Sequence, residues 1–171
     1  MGRGFTQYGY LDVDLPDEYS LHSAFLDYVL EDGTRIPVNQ ADYYCAACGH
    51  IVVGERIESV ADLEHRIDQI QNHPESDHRK VAEFAGNIPK QIAELHARIA
   101  WRNARESGPK CLDCGSLNIT SIPDQEEFHH PATGQRMKVL GRGFADAASW
   151  PATYTSEGDL IERRETKTMD E

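Results

Sequence analysis

The sequence predicts an α+β fold, a small antiparallel sheet carrying an inserted antiparallel helical hairpin. Three observations point there. Two Cys-x-x-Cys-Gly turns stand far apart in the chain, at Cys45-Ala46-Ala47-Cys48-Gly49 and Cys111-Leu112-Asp113-Cys114-Gly115. Between them run two narrow apolar seams of helical spacing. On either side lie short segments that alternate or are rich in β-branched residues, each bounded by Pro, Gly or Asp. Across 171 residues this amounts to a single domain, residues 1–171, with residues 59–106 as a projecting arm.

The elements follow in order. Residues 5–15 end on Leu11, Val13 and Leu15 with aspartates between, a half-buried strand stopped by Pro16. Asp17 to Leu30 places Leu21, Phe25 and Tyr28-Val29 on one stripe, which predicts a helix ending at Asp32-Gly33. Arg35–Val38 and Asp42–Tyr44 read as short strands, the second leading into the first cysteine turn, and Ile51-Val52-Val53 leaves that turn as another. Val60, Leu63, Ile67 and Ile70 then form the first helical seam, with Ser59 as its cap. A shorter helical piece covers about residues 75–85 and stops at Gly86-Asn87. Ile88, Ile92, Leu95 and Ile99 form the second seam, with Asn87 as cap and Pro89 tolerated in the first turn. Two such seams joined by a reversal pack as an antiparallel hairpin, which returns the chain to about 10 Å from its departure point.

Beyond the second cysteine turn, residues 117–122 alternate as a strand. Residues 128–130 and 137–140 flank a glycine loop, and residues 152–155 and 160–162 flank Ser156-Glu157-Gly158-Asp159, giving two hairpins. The polar residues Glu165 to Glu171 are expected to fray. Gly-Arg-Gly-Phe occurs at residues 2–5 and again at 141–144, an echo short enough to arise by coincidence, with two equivalent sheet positions as the alternative.

The four cysteines, all that the chain has, carry the clearest chemistry. Cys-x-x-Cys lets both sulfurs face one ion, and two such pairs supply the four thiolates of a closed tetrahedral zinc site. The following glycines suit a tight turn. A disulfide framework and a redox pair are the competing readings. No apolar h-region follows Met1, so a cytoplasmic, reducing setting is expected, and neither pair sits in a βαβ context. Structural Zn2+ held by Cys45, Cys48, Cys111 and Cys114 is therefore the preferred assignment, and the helical hairpin explains how turns separated by 62 residues can meet. These turns resemble those of the zinc-ribbon group, over residues 43–54 and 110–122 only. The resemblance implies the same four ligands, and implies no particular activity.

Four thiolates leave no open position for a reactive water, so this metal is not expected to be catalytic. No Gly-x-Ser-x-Gly elbow, Gly-rich phosphate loop or His-Glu-x-x-His occurs, which leaves an enzyme with scattered catalytic residues as a distant reading. His50 adjoins the first turn and is most simply exposed. His129 and His130 could contribute to a second metal, but adjacent residues on a strand face opposite ways. With 29 acidic against 17 basic residues, net charge −12, the chain is poorly suited to nucleic acid. No apolar run reaches the roughly 18 residues of a membrane helix. An adapter that docks a protein partner through the arm or an acidic face is the leading expectation. Trp101 is most simply packed against the ribbon at the base of the arm; the alternative makes Arg98, Trp101, Arg102 and Arg105, a run interrupted by Glu94 and Glu106, the partner-binding candidates, since Trp and Arg are enriched at binding hot spots. The same residues are the only credible nucleic-acid face.

Overall fold

The computed structural model describes residues 3–146 and 150–164. It is mixed α+β, with three sheets and three helices. The first sheet has the order β2-β1-β9-β8, from Glu18–Leu21 (β2), Arg3–Tyr10 (β1), Arg136–Ala145 (β9) and Glu127–His129 (β8), all antiparallel. The second has the order β11-β10-β3-β4, from Leu160–Arg163 (β11), Ala152–Thr155 (β10), Leu26–Val29 (β3) and Arg35–Pro37 (β4). Its β3 and β10 run parallel, and its other pairs are antiparallel. The third, which carries the cysteine turns, has the antiparallel order β6-β5-β7, from His50–Glu55 (β6), Gln40–Cys45 (β5) and Ile119–Ser121 (β7). The helices Val60–Asn72 (α1), Asp77–Ala85 (α2) and Ile88–Ala104 (α3) fill the insertion.

The helices start where local chemistry dictates. Ser59, Ser76 and Asn87 each accept a hydrogen bond from the backbone amide three residues on, satisfying an orphan donor of the first turn. Leu63, Ile67 and Ile70 of α1 are buried against Leu95 of α3, with Ile88, Ile92 and Ile99 partly buried alongside. The predicted seams thus face each other. In α2 the buried residue is Ala82, while Val81 and Phe84 turn outward at 67% and 96% exposure.

Strand β6 organises the rest. Its residues from Ile51 onward are buried on both faces, so three neighbours serve three different cores. Ile51 joins Tyr8, Phe128 and Met137 under the first sheet. Val52 joins Tyr43, Cys45 and Cys111 around the cysteines. Val53 joins Tyr28, Ile36, Trp101 and Tyr154 between the second sheet and α3. Such a run, apolar without alternation, is the signature of a strand covered on both sides.

Two expectations fail. Residues 17–30 form strands β2 and β3 instead of a helix. Leu26 and Tyr28 are buried with Asp27 and Val29 between them, a period of two, because β10 pairs alongside and supplies the ladder hydrogen bonds. Leu21 and Phe25 of the supposed helical stripe are exposed, and Phe25 has φ 61°, which no helix accommodates. The first strand also lies upstream of its predicted alternation. Strand β1 pairs with β9 only as far as Tyr10↔Met137, and Leu11, Val13 and Leu15 follow it without strand structure. The Gly-Arg-Gly-Phe echo proves to be a cross-strand pair: Gly4 lies opposite Phe144 and Phe5 opposite Gly143. A Cβ on Gly143 would come within 3.2 Å of the Phe5 ring, so the glycine gives that ring its seat. The segment expected to fray, Glu165–Glu171, lies outside the described residues.

Glycine is required most strictly at Gly158, in the β10–β11 turn. Its φ is +80°, and an added Cβ would press on the Glu55 carboxylate and stand 2.8 Å from Arg105 Nη2. Gly158→Ala is expected to lower the denaturant midpoint by at least about 1–2 kcal/mol of stability at unchanged m-value, the cost of left-handed backbone alone. An unchanged midpoint in an equilibrium urea titration would refute this account of the turn.

Candidate metal centre

The two cysteine turns are built alike. Cys45 closes β5, and the Gly49 amide donates back to its carbonyl oxygen at 2.8 Å; the Gly115 amide does the same to Cys111 at 2.9 Å. Gly49 and Gly115 adopt φ +77° and +75°, left-handed geometry that glycine adopts without strain. The turns are joined by the sheet. Residues 55 and 110 are locked by the Glu55 amide donating to the Lys110 carbonyl at 2.9 Å, and the Leu112 amide donates to the Val53 carbonyl at 3.1 Å. The chain therefore leaves for the arm and returns from it side by side.

The four sulfurs lie within 4.8 Å of one another. Cys45 Sγ and Cys114 Sγ are 3.6 Å apart, and Cys48 Sγ and Cys111 Sγ are 3.9 Å apart. A disulfide needs about 2.05 Å, and all four cysteines are free. A tetrahedron with metal–sulfur bonds of about 2.3 Å has sulfur–sulfur edges of about 3.8 Å, which both measured pairs match. Without a cation the arrangement is electrostatically poor. Burial and the neighbouring sulfurs push the Cys48 thiol up, and burial pushes Cys111 up to about 11. Cys114 moves the other way, because the Ser116 backbone hydrogen-bonds to it. A bound cation reverses that penalty by deprotonating its thiol ligands outright. The residues present therefore fit a metal ion of sulfur preference.

His50 is exposed and its Nδ1 sits 2.9 Å from the Ile51 carbonyl, outside the sulfur cluster. His129 is exposed and His130 is 4% exposed, facing opposite ways as strand geometry requires. The His130 Nδ1 accepts from the Ala132 and Thr133 amides at 3.2 Å, and its Nε2 faces Glu18 at 3.4 Å. Among the described residues, no cluster of metal-ligating side chains other than the four cysteines is close enough to share an ion.

The predicted contact patch is not a surface. Arg98, Trp101 and Arg105 are 3%, 4% and 5% exposed, and Arg102 is half-buried. Arg98 donates to the Pro37 carbonyl at 2.8 Å, fastening α3 to β4. Trp101 stacks on Tyr28 with ring centroids 4.6 Å apart, and its indole N–H donates to the Ser156 carbonyl at 2.7 Å. The Arg105 guanidinium lies against both rings and makes paired bonds to Glu55, Nη1 to Oε1 at 2.9 Å and Nη2 to Oε2 at 2.7 Å. Tyr28 Oη donates to Glu55 Oε1 at 2.6 Å and the Lys110 amide to Oε2 at 2.8 Å, so the carboxylate is fully satisfied. Burial opposes the Arg105 charge, but Glu55 more than compensates and holds its pKa above the ordinary value. These side chains fasten the base of the arm to the sheets. Arg98 and Arg105 are occupied, while half-buried Arg102 keeps a buried Nε without a hydrogen-bond partner.

No family model, no curated protein and no solved structure matches this chain. No helix among the described residues is long and apolar enough to cross a membrane.

Proposed function

We propose that the chain is a structural zinc protein of zinc-ribbon type, a scaffold whose closed four-thiolate site clamps the base of a helical arm and so presents that arm to a protein partner. The observation that carries the reading is the sulfur array: two equivalent turns, from distant parts of the chain, placed at tetrahedral spacing with no further ligand in the cluster among the described residues. The site stands beside Val52 and Tyr43 in a packed cluster, which suits a structural ion better than one that must admit substrate.

The partner reading draws on the arm's outer helix. Val81 and Phe84 stand one turn apart on α2, both exposed, in an otherwise polar helix. They replace the buried Trp101 and its arginines as the docking residues. One experiment addresses both parts. Purified protein should carry about one equivalent of zinc by elemental analysis. With a photo-crosslinking amino acid at position 84 it should give a discrete heteromeric adduct in its native host. A metal content well below one equivalent removes the clamp. A full metal content with no adduct at position 84 removes the adapter role and leaves the clamp standing.

A further inference from the structure

A second constellation lies away from the cysteines, where the first sheet meets β5. Asp42 accepts a hydrogen bond from the Tyr8 hydroxyl and another from His22 Nε2 at 2.8 Å. Its side chain is 13% exposed and that of His22 is 34% exposed, so the carboxylate is largely covered and the imidazole is presented. Burial alone would raise Asp42, but the bonds from His22 and Tyr8 hold it below the ordinary carboxylate range.

The three residues border a cavity of about 500 Å³, within the range of small-molecule sites. Arg56 and Arg142 line it too, which is notable in a chain of net charge −12. The Arg56 side chain makes no ion pair or hydrogen bond among the described residues. Arg142 is paired only with Glu126, at 3.0 Å, and both side chains are more than half exposed. Such a surface pair is weak and exchanges readily for a ligand. Two carboxylates share the wall, Asp42, which accepts hydrogen bonds from His22 and Tyr8, and Asp124. Ile122, Pro123 and Val139 supply an apolar side.

We propose that this cavity binds a small organic phosphate, with Arg56 and Arg142 engaging the phosphate and Ile122, Pro123 and Val139 covering the organic part. Two guanidiniums match a phosphate dianion better than a carboxylate monoanion, and guanidinium pairs phosphate oxygens two at a time. The site uses none of the four cysteines and no residue of the arm helices, but Ala41 and Tyr43 of its wall pack beside the cysteines, so it is tested with the metal in place.

The test is calorimetric titration of the metal-loaded full chain with phenyl phosphate, inorganic phosphate and benzoate. Saturable binding of phenyl phosphate is expected, tighter than either of the others. Arg56→Gln and Arg142→Gln should each weaken it about tenfold, the loss of one charge-assisted pair. Lys138→Gln, which removes an exposed charge from the same strand as Arg142, should leave it unchanged. Thermal melts and metal content of the variants check that each is folded. No saturable binding of phenyl phosphate up to about 10 mM overturns the proposal, as does undiminished binding by folded Arg56→Gln. Equal affinity for benzoate overturns the phosphate assignment, and equal affinity for inorganic phosphate overturns the role of the apolar wall.

Discussion

Chelation should strip amide-exchange protection from residues 40–55 and 110–121 together, while the helices of the arm lose less. Apparent zinc binding in small zinc peptides is worth about 10–16 kcal/mol at neutral pH, as large as the whole net stability of a typical domain. In this fold the ion would join the β5–β6 hairpin to the 111–114 turn. What remains there without it is three paired positions between β5 and β7, the Gly54–Cys111 bridge, the Glu55–Lys110 and Leu112–Val53 backbone bonds, and a cluster of four buried residues, two of them cysteines. The arm differs because Leu63, Ile67, Ile70, Ala82 and Leu95 bury one another independently of the cysteines. Its helices, of 13, 9 and 17 residues, are short enough that isolated helicity would be marginal, so partial protection through mutual packing is the expected residue. Cys111→Ser should reproduce the chelator's pattern at saturating zinc. Hydrogen exchange read by mass spectrometry decides the matter. Retained protection in both segments, with metal loss verified, would show that the sheets hold without the clamp.

The parts of this fold that were legible in the sequence are those whose causes are local or chemical. Ser59 and Asn87 cap helices through contacts three residues away, and the apolar seams encode their own period, so the arm could be placed almost to the residue. The cysteine turns were legible because thiolate chemistry restricts their use. Strands β2 and β3 were not, because what makes them strands is a neighbour elsewhere in the chain: β1 for Glu18–Leu21, and β10, near the far end, for Leu26–Val29. The arginines of α3 show the same limit in electrostatic form. Trp101 read locally as packing at the base of the arm, which the structure shows, while the contact patch with Arg98, Arg102 and Arg105, interrupted by Glu94 and Glu106, was the alternative. The residue that draws Arg105 inward, Glu55, is 50 positions upstream at the end of an apolar strand. The Tyr8–Asp42–His22 cluster was missed for a related reason, as its members come from strands β1 and β5 and the loop after β2, with no shared motif. A lone aspartate amid the tyrosines of β5 is the only trace it leaves in the sequence.

Glu55→Gln should destabilise the protein by about 3–5 kcal/mol, a large fraction of the roughly 5–15 kcal/mol available to a domain. The cause is not the attraction lost but the charge left behind. Both side chains of the Glu55–Arg105 pair are fully buried, and the guanidinium has nowhere to go: Tyr28 and Trp101 lie beside it, and the Ser107 and Gly108 carbonyls hold its remaining donors. Desolvating an ion pair is costly to begin with, so the pair's net contribution is small even though breaking it is severe. That asymmetry gives a sharper test than either single variant. Glu55→Gln combined with Arg105→Met should be less destabilised than the sum of the singles, by about 0.5–3 kcal/mol of coupling in a double-mutant cycle from urea midpoints. Additive losses would mean that the two groups contribute separately, through Tyr28 and the Lys110 amide on one side and the β10–β11 turn on the other. The same variants report on the arm. Because Arg105 ends α3 and Glu55 precedes α1, breaking the pair should loosen both arm roots at once, raising exchange at residues 55–60 and 101–110 while the metal content stays unchanged. A simultaneous loss of metal would show instead that the buried pair and the cysteine cluster form one cooperative unit.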